Sequence, residues 1–188
     1  MAVVSGQSGA KSRVRNCAIA LFAFANVLAM ALAQNYKEAE VKAAFLYHFT
    51  GYIEWPASAF ESNSSPFVIG VLGKSEVHSS LQSVVRGKNW HGRAFVVKRV
   101  DTAKEMRECH VLFVAGAEAK RLPQILEILD DAPVLTVGES EGFAQKGGMI
   151  NFFIEQNRVR FEINPDAAKR AHLTISSKLL NLARVVRQ

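Results

Sequence analysis

Cysteine is nearly absent from this chain. There are two, Cys17 and Cys109, and Cys17 lies in a segment read below as a leader. A single remaining cysteine cannot close an internal disulfide, so the fold must rest on its core. Beyond residue 33 no apolar run is long enough to span a bilayer. No block of basic residues follows either, which makes nucleic acid a poor partner. The five histidines, at 48, 78, 91, 110 and 172, form no ligand pair of the H-x-x-x-H kind. A metal site would have to be assembled by tertiary contacts alone, and no metal or cofactor is expected. Internal repeats and low-complexity stretches are missing too.

What is present starts with an export pattern. Lys11, Arg13 and Arg15 precede an uncharged run from Ala18 to Leu32, and Ala31-Leu32-Ala33 offers a small-x-small cleavage site. Residues 1–33 are therefore expected to be a removable secretory signal, with the mature chain from Gln34 to Gln188 as one domain. Without the three basic residues of the leader, the formal charge of +6 falls to +3, from 20 basic against 17 acidic residues.

The mature chain alternates helical patterns with short apolar runs. Glu38 to Ile53 predicts an amphipathic helix with Val41, Ala44, Phe45, Phe49 and Tyr52 on one stripe, ended by Pro56; Lys42 and His48 fall off that stripe. Strands are predicted at Phe67–Leu72, Ala94–Val100, Val111–Val114 and Val134–Val137, with helices at Ser75–Val85 and Glu118–Leu129 and a helical turn at Thr102–Glu108. Continuous apolar strands between helices predict an α/β fold with a mostly parallel sheet covered on both faces. The pattern then becomes alternating. Met149–Glu155 and Arg158–Asn164 flank Gln156-Asn157, a two-residue turn that predicts a C-terminal hairpin with Ile154 facing Val159, Phe152 facing Phe161 and Ile150 facing Ile163. The last region, from Pro165 to Val186, reads as helical with a break near Leu173 to Ser176.

The hairpin's other face pairs Glu155 with Arg158, Phe153 with Arg160 and Asn151 with Glu162. Phe153 is a large aromatic among polar groups. Either Arg160 caps it as a cation–π pair with help from a neighbouring loop, or a partner covers it. Phe153, Arg160, Glu162 and Asn151 are accordingly the candidate contact surface. Cys109 has two readings: a half-buried small apolar residue, or a thiol that is reactive or forms an intermolecular disulfide. A homodimer is an expected partner state that the sequence leaves open.

Two motifs imitate catalysis. Gly138-Glu139-Ser140-Glu141-Gly142 fits G-x-S-x-G, with Asp166 and His172 later in hydrolase order. The glycines that follow oppose a helix behind the serine, and two glutamates beside Ser140 would disfavour an oxyanion. Gly73-Lys74-Ser75 sits where a phosphate loop would, but Val68 stands where that loop's first glycine belongs. No catalytic residue is expected.

Several of these segments together resemble one family. Lys42-Ala43-Ala44-Phe45-Leu46-Tyr47-His48-Phe49, Glu54-Trp55-Pro56, Ile69-Gly70-Val71-Leu72-Gly73 and Cys109-His110-Val111-Leu112-Phe113 are similar to segments of the YfiR-like proteins. So, in order, are Val134-Leu135-Thr136-Val137, Gly147-Gly148-Met149-Ile150, Phe161-Glu162-Ile163-Asn164 and Ser176-Ser177-Lys178-Leu179-Leu180. The resemblance implies a periplasmic α/β protein without catalytic residues. Such a protein would hold down an inner-membrane diguanylate cyclase by binding its periplasmic part and be sequestered in turn by an outer-membrane lipoprotein. The chain departs from the best-understood member in having no cysteine pair, so redox control by an internal disulfide is not implied. A reading from another class is a small-ligand sensor with its pocket at the strand C-termini.

Overall fold

The computed structural model describes residues 37–187, so the expected leader lies outside the described residues. The chain divides into two units, Met1–Glu38 and Ala39–Gln188, and the fold that follows is that of the second. Helix α1 occupies residues 37–49. It stops four residues earlier than its pattern suggests. The Thr50, Gly51 and Tyr52 N–H groups reach back to the Tyr47, His48 and Phe49 carbonyls, tightening the last turn. Ile53 and Glu54 then form a short strand, β1 (Ile53–Glu54), paired antiparallel with β9 (Thr174–Ile175). The buried stripe is also rotated from the predicted one. Ala39, Lys42, Ala43, Leu46 and Phe49 face inward, while Val41 and Tyr52 are 37% and 39% exposed. A shift of one residue on a helix turns the stripe by about 100°, and the Phe45 that anchored the reading packs only along its edge, against Phe152 and Phe161.

A sheet of eight strands forms the centre: β10 (Arg184–Val185), β8 (Arg158–Ile163), β7 (Ile150–Glu155), β6 (Leu135–Gly138), β5 (Val111–Val114), β2 (Phe67–Leu72), β4 (Arg93–Val100) and β3 (Asn89–Trp90), in that spatial order. The five strands from β4 to β7 run parallel, while β7–β8 and β3–β4 are antiparallel hairpins and β10 runs parallel to β8. Counted along the chain, the parallel strands lie in the order 2-1-3-4-5, a doubly wound arrangement. One face carries α1, α2 (Val77–Val85), α5 (Pro165–Arg170) and α6 (Ser177–Leu180); the other carries α3 (Ala103–Arg107) and α4 (Leu122–Ile128). The α/β class and the mostly parallel sheet agree with the sequence pattern.

Local chemistry explains most boundaries. Thr102 and Glu105 form a reciprocal capping box at α3. The Asp101 and Thr102 N–H groups hold the Glu105 carboxylate down to about pKa 2. The predicted helix at 118–129 divides into a 3-10 segment, Gly116–Arg121, and α4, with Pro123 in the first turn of α4, where a missing N–H costs little. Gly70 in β2 leaves space for a neighbour: a Cβ there would lie 2.5 Å from Cys109 Sγ.

The hairpin turn places Gln156 and Asn157 at φ 50° and 59°, as a primed two-residue turn requires. Its register matches the sequence prediction at all three apolar pairs. Ile150, Phe152, Phe161 and Ile163 are buried, but Ile154 is 51% exposed, because it lies one pair from the turn. The terminal region breaks near Leu173 as expected, yet it contains two short strands, β9 and β10, besides its helices.

Candidate site on the outer face of the hairpin

Pairing across four strands builds the site. Gly138 on β6 lies opposite Asn151 on β7, Asn151 opposite Glu162 on β8, and Glu162 opposite Arg184 on β10. Paired residues share a face of a sheet, so these positions form one row across it. Phe153 and Arg160 form the next row on the same face, followed by Glu155 and Arg158. The four residues singled out from sequence are thus brought together on one surface.

That surface is not uniformly solvated, as the alternation alone suggested. Asn151 and Glu162 are 3% and 5% exposed. Asn151 Nδ2 donates to Glu162 Oε1 at 3.1 Å, and Gln145 Nε2 donates to Glu162 Oε2 at 3.2 Å. The segment between β6 and β7 causes the burial. Phe143 within it is fully buried, and a Cβ on Gly138 or Gly148 would come within 2.3 Å or 2.1 Å of its ring. Asn164 secures the segment, its Nδ2 donating to the Ala144 carbonyl while its Oδ1 caps α5. The glycines of the G-x-S-x-G stretch are therefore seats and turns for Phe143, and turn structure, not a helix, follows Ser140. Ser140 lines the hairpin hollow, whereas Asp166 lies in the first turn of α5 and His172 just beyond its end, on the α1 side of the sheet. Among the described residues no hydrogen bond joins the three.

Phe153 is covered by Arg184, not by Arg160. The Arg184 guanidinium carbon lies 4.4 Å from the ring centroid, and its Nη2 contacts Glu155 Oε1 at 3.0 Å. Arg160 extends outward, half exposed, with Nε 4.0 Å from Glu155 Oε2. Arg184 was missed because the predicted terminal helix hid β10; its cue is the short alternation Ala183-Arg184-Val185. Glu139 was missed as well. It receives Lys42 Nζ at 2.6 Å and the Gly116 N–H at 3.0 Å, tying α1 to the C-terminal ends of β5 and β6. Together Glu139, Ser140, Asn151, Phe153, Glu162 and Arg184 line a hollow of about 430 Å³.

The other expected centres resolve differently. At the β2–β5 crossover point, Gly73 has φ +84° and the Glu118 side chain packs against it, with Cγ 2.8 Å from where a Cβ would lie. A carboxylate there opposes phosphate binding at Lys74. Cys109 is buried and donates to the Glu105 carbonyl at 3.2 Å; burial pushes its thiol up to about 12, so it stays protonated. An intermolecular disulfide would require this segment to open. His110 packs against both Phe60 and Phe67, with ring centroids at 4.5 Å and 4.7 Å. Its Nδ1 accepts from the Val68 N–H, and Nε2 has no well-aligned acceptor, the Ala59 carbonyl being its polar neighbour. Burial lowers its pKa to about 4. Among the described residues no three His, Cys, Asp or Glu side chains are gathered to hold a metal, and no helix is long and apolar enough to cross a membrane.

Fold and site define a doubly wound α/β protein whose sheet is extended by a hairpin and a tail strand, with a polar hollow on the hairpin. The chain belongs to the YfiR/HmsC-like family, whose model matches residues 39–184. No curated protein matches it. Among solved structures it is similar to a conserved domain protein from Vibrio cholerae O1 biovar eltor, with 12% identity and a TM-score of 0.51, over 80% of this chain and 60% of that one. A second likeness is to an ABC domain in complex with L-Trp from Streptococcus pneumonia, with 14% identity and a TM-score of 0.47, over 64% of this chain and 55% of that one. The chain thus spans less than two thirds of either structure's length.

Proposed function

We propose that this chain is a periplasmic regulatory binding protein that represses an inner-membrane diguanylate cyclase through protein contacts and so lowers cyclic-di-GMP output. The observation that carries the reading is family membership over nearly the whole described fold. The basic and then apolar opening at residues 11–33 supports export. The contact surface is the outer face of the hairpin, where Phe153 is shielded by one exposed arginine, and the charged rim of Arg160, Glu155 and Arg158 would steer and orient a partner. An outer-membrane lipoprotein that sequesters the repressor is the expected antagonist.

Deleting the gene from its host should raise cyclic-di-GMP, and returning the gene should restore the lower level. A tagged copy recovered from the periplasm should retain a membrane-bound cyclase through detergent extraction. Unchanged cyclic-di-GMP in the deletion strain would refute the proposal.

A further inference from the structure

The hollow on the hairpin has a chemistry of its own, apart from any protein that meets this face. Its inner wall is made of acceptors. Asn151 Nδ2 is committed to Glu162, and because a carboxylate only accepts, this bond fixes the orientation of the Asn151 amide. Asn151 Oδ1 is therefore the atom left over, and it has no donor although the residue is 3% exposed. A buried amide oxygen without a protein donor is costly, and a native fold keeps one where an ordered water or a ligand supplies the hydrogen. Glu162 beside it is buried, and the partners described for its two oxygens are the neutral amides of Asn151 and Gln145. Phe153 and the exposed Glu141 also line the hollow, with Arg184 as its one cationic residue among the described residues.

The charges of the hollow are unbalanced. Glu139 is neutralised by Lys42 at 2.6 Å, and Arg184 by Glu155 at 3.0 Å. Glu141 and Glu162 have no ion pair among the described residues. Two carboxylates, a spare carbonyl oxygen and a ring face all favour the same visitor, a hydrogen-bond donor carrying positive charge. The protein already shows that a guanidinium fits against this ring, since Arg184 rests 4.4 Å above it.

We propose that the hollow is a binding site for a small organic cation bearing a guanidinium or primary ammonium group, held by Glu162 and the Asn151 carbonyl oxygen and stacked on Phe153. Arg184 stands at its edge as the internal competitor.

The test is a titration of the purified protein with agmatine, which carries both groups and no carboxylate, followed by calorimetry and by amide shifts of residues 138 and 151–153. Butylurea, an uncharged analogue of the guanidinium end, is the control. Saturable agmatine binding without butylurea binding is expected. Glu162→Gln keeps the shape and one of the two accepted hydrogen bonds, since its amide nitrogen cannot accept, and should weaken binding about tenfold or more. Phe153→Leu should weaken it about threefold. Arg184→Gln should tighten it, which a purely structural role for Arg184 would not produce. No saturable agmatine binding, equal binding of butylurea, or a folded Glu162→Gln protein with unchanged affinity would each overturn the proposal. Because no partner is present in the experiment, its failure leaves the repressor reading untouched, and failure of that reading leaves this one standing.

Discussion

The two faces of one hairpin behave as different materials. On the inner face Ile150, Phe152, Phe161 and Ile163 lie under α1, and Phe49 stacks on Phe152 at 5.8 Å and meets Phe161 edge-on at 5.1 Å. On the outer face the same two strands carry Asn151, Phe153, Arg160 and Glu162, of which the first and last are buried and hydrogen-bonded, while Phe153 is half-buried under Arg184 and Arg160 is exposed. The inner face is held by area and fit, which tolerate no missing volume. The outer face is held by a few directed bonds around a hollow, with a half-buried ring and a buried carbonyl oxygen that has no donor among the described residues. Core packing and the proposed contact surface thereby fall on alternate residues of the same strands.

The largest break in this comparison is on the inner side. Phe152→Ala removes a ring that is 2% exposed and touches two other aromatics. It should cost about 3–5 kcal/mol, read as a lower denaturant midpoint with an unchanged slope. A loss below about 1 kcal/mol would show that the cluster is loosely packed.

A buried polar residue away from the hairpin sharpens the contrast, because burial of a polar group does not by itself make a site. His110 lies among aromatic rings with a pKa lowered to about 4. The unfolded chain takes up this proton near pH 6.5 and the folded one near pH 4, so between those values the unfolded state binds more protons. The stability tied to neutral His110 is therefore complete above pH 6.5 and is lost as pH falls towards 4, by on the order of 3 kcal/mol. His110→Phe should flatten that part of the stability–pH curve. A wild-type melting temperature that does not change from pH 7 to pH 4.5 would contradict this environment.

The Phe143 clamp tests how the outer face is roofed. Gly138→Ala places a methyl group within 2.3 Å of the Phe143 ring and should destabilise the protein by about 1–3 kcal/mol. Phe143→Leu in the same chain should recover part of that loss, since the smaller side chain vacates the seat. If the two changes instead add without coupling, as independent sites do, the glycine is serving backbone conformation alone.

How much of this could be read in advance depends on the length of each signal. The parallel strands were legible because each is a continuous apolar run ended by a turn, and the hairpin register because a two-residue turn admits one alternation. The stripe of α1 was misread because Phe45 and Tyr52 look like core residues, while Lys42 does not advertise that Glu139, 97 positions away, will pair with it. Two-residue strands such as β9 and β10 carry too little pattern to be seen, so the cover of Phe153 was sought in Arg160 or a partner and not in Arg184. The four candidate residues of the site were legible because they alternate on one face. The buried state of Asn151 and Glu162 was not, since it depends on a loop that folds back through Phe143 and Gln145.

Phe153→Ala is the smallest perturbation of the fold and the most direct test of the division between faces. The ring is half-buried, with Arg184 over it, and its removal opens no sealed cavity. The loss of stability should stay within about 1 kcal/mol, the scale of one cation–π contact at an exposed site. Recovery of the membrane cyclase with the tagged variant should nevertheless fall sharply, because aromatic anchors dominate the energy of a contact surface. Cyclic-di-GMP in cells carrying the variant should rise towards the deletion level. Arg160→Ala on the rim is the matched comparison. It should slow association and alter its salt dependence while leaving repression largely in place. Should Phe153→Ala repress as well as the parent chain while Arg160→Ala does not, the contact would be governed by charge, and the aromatic would belong to the hollow alone.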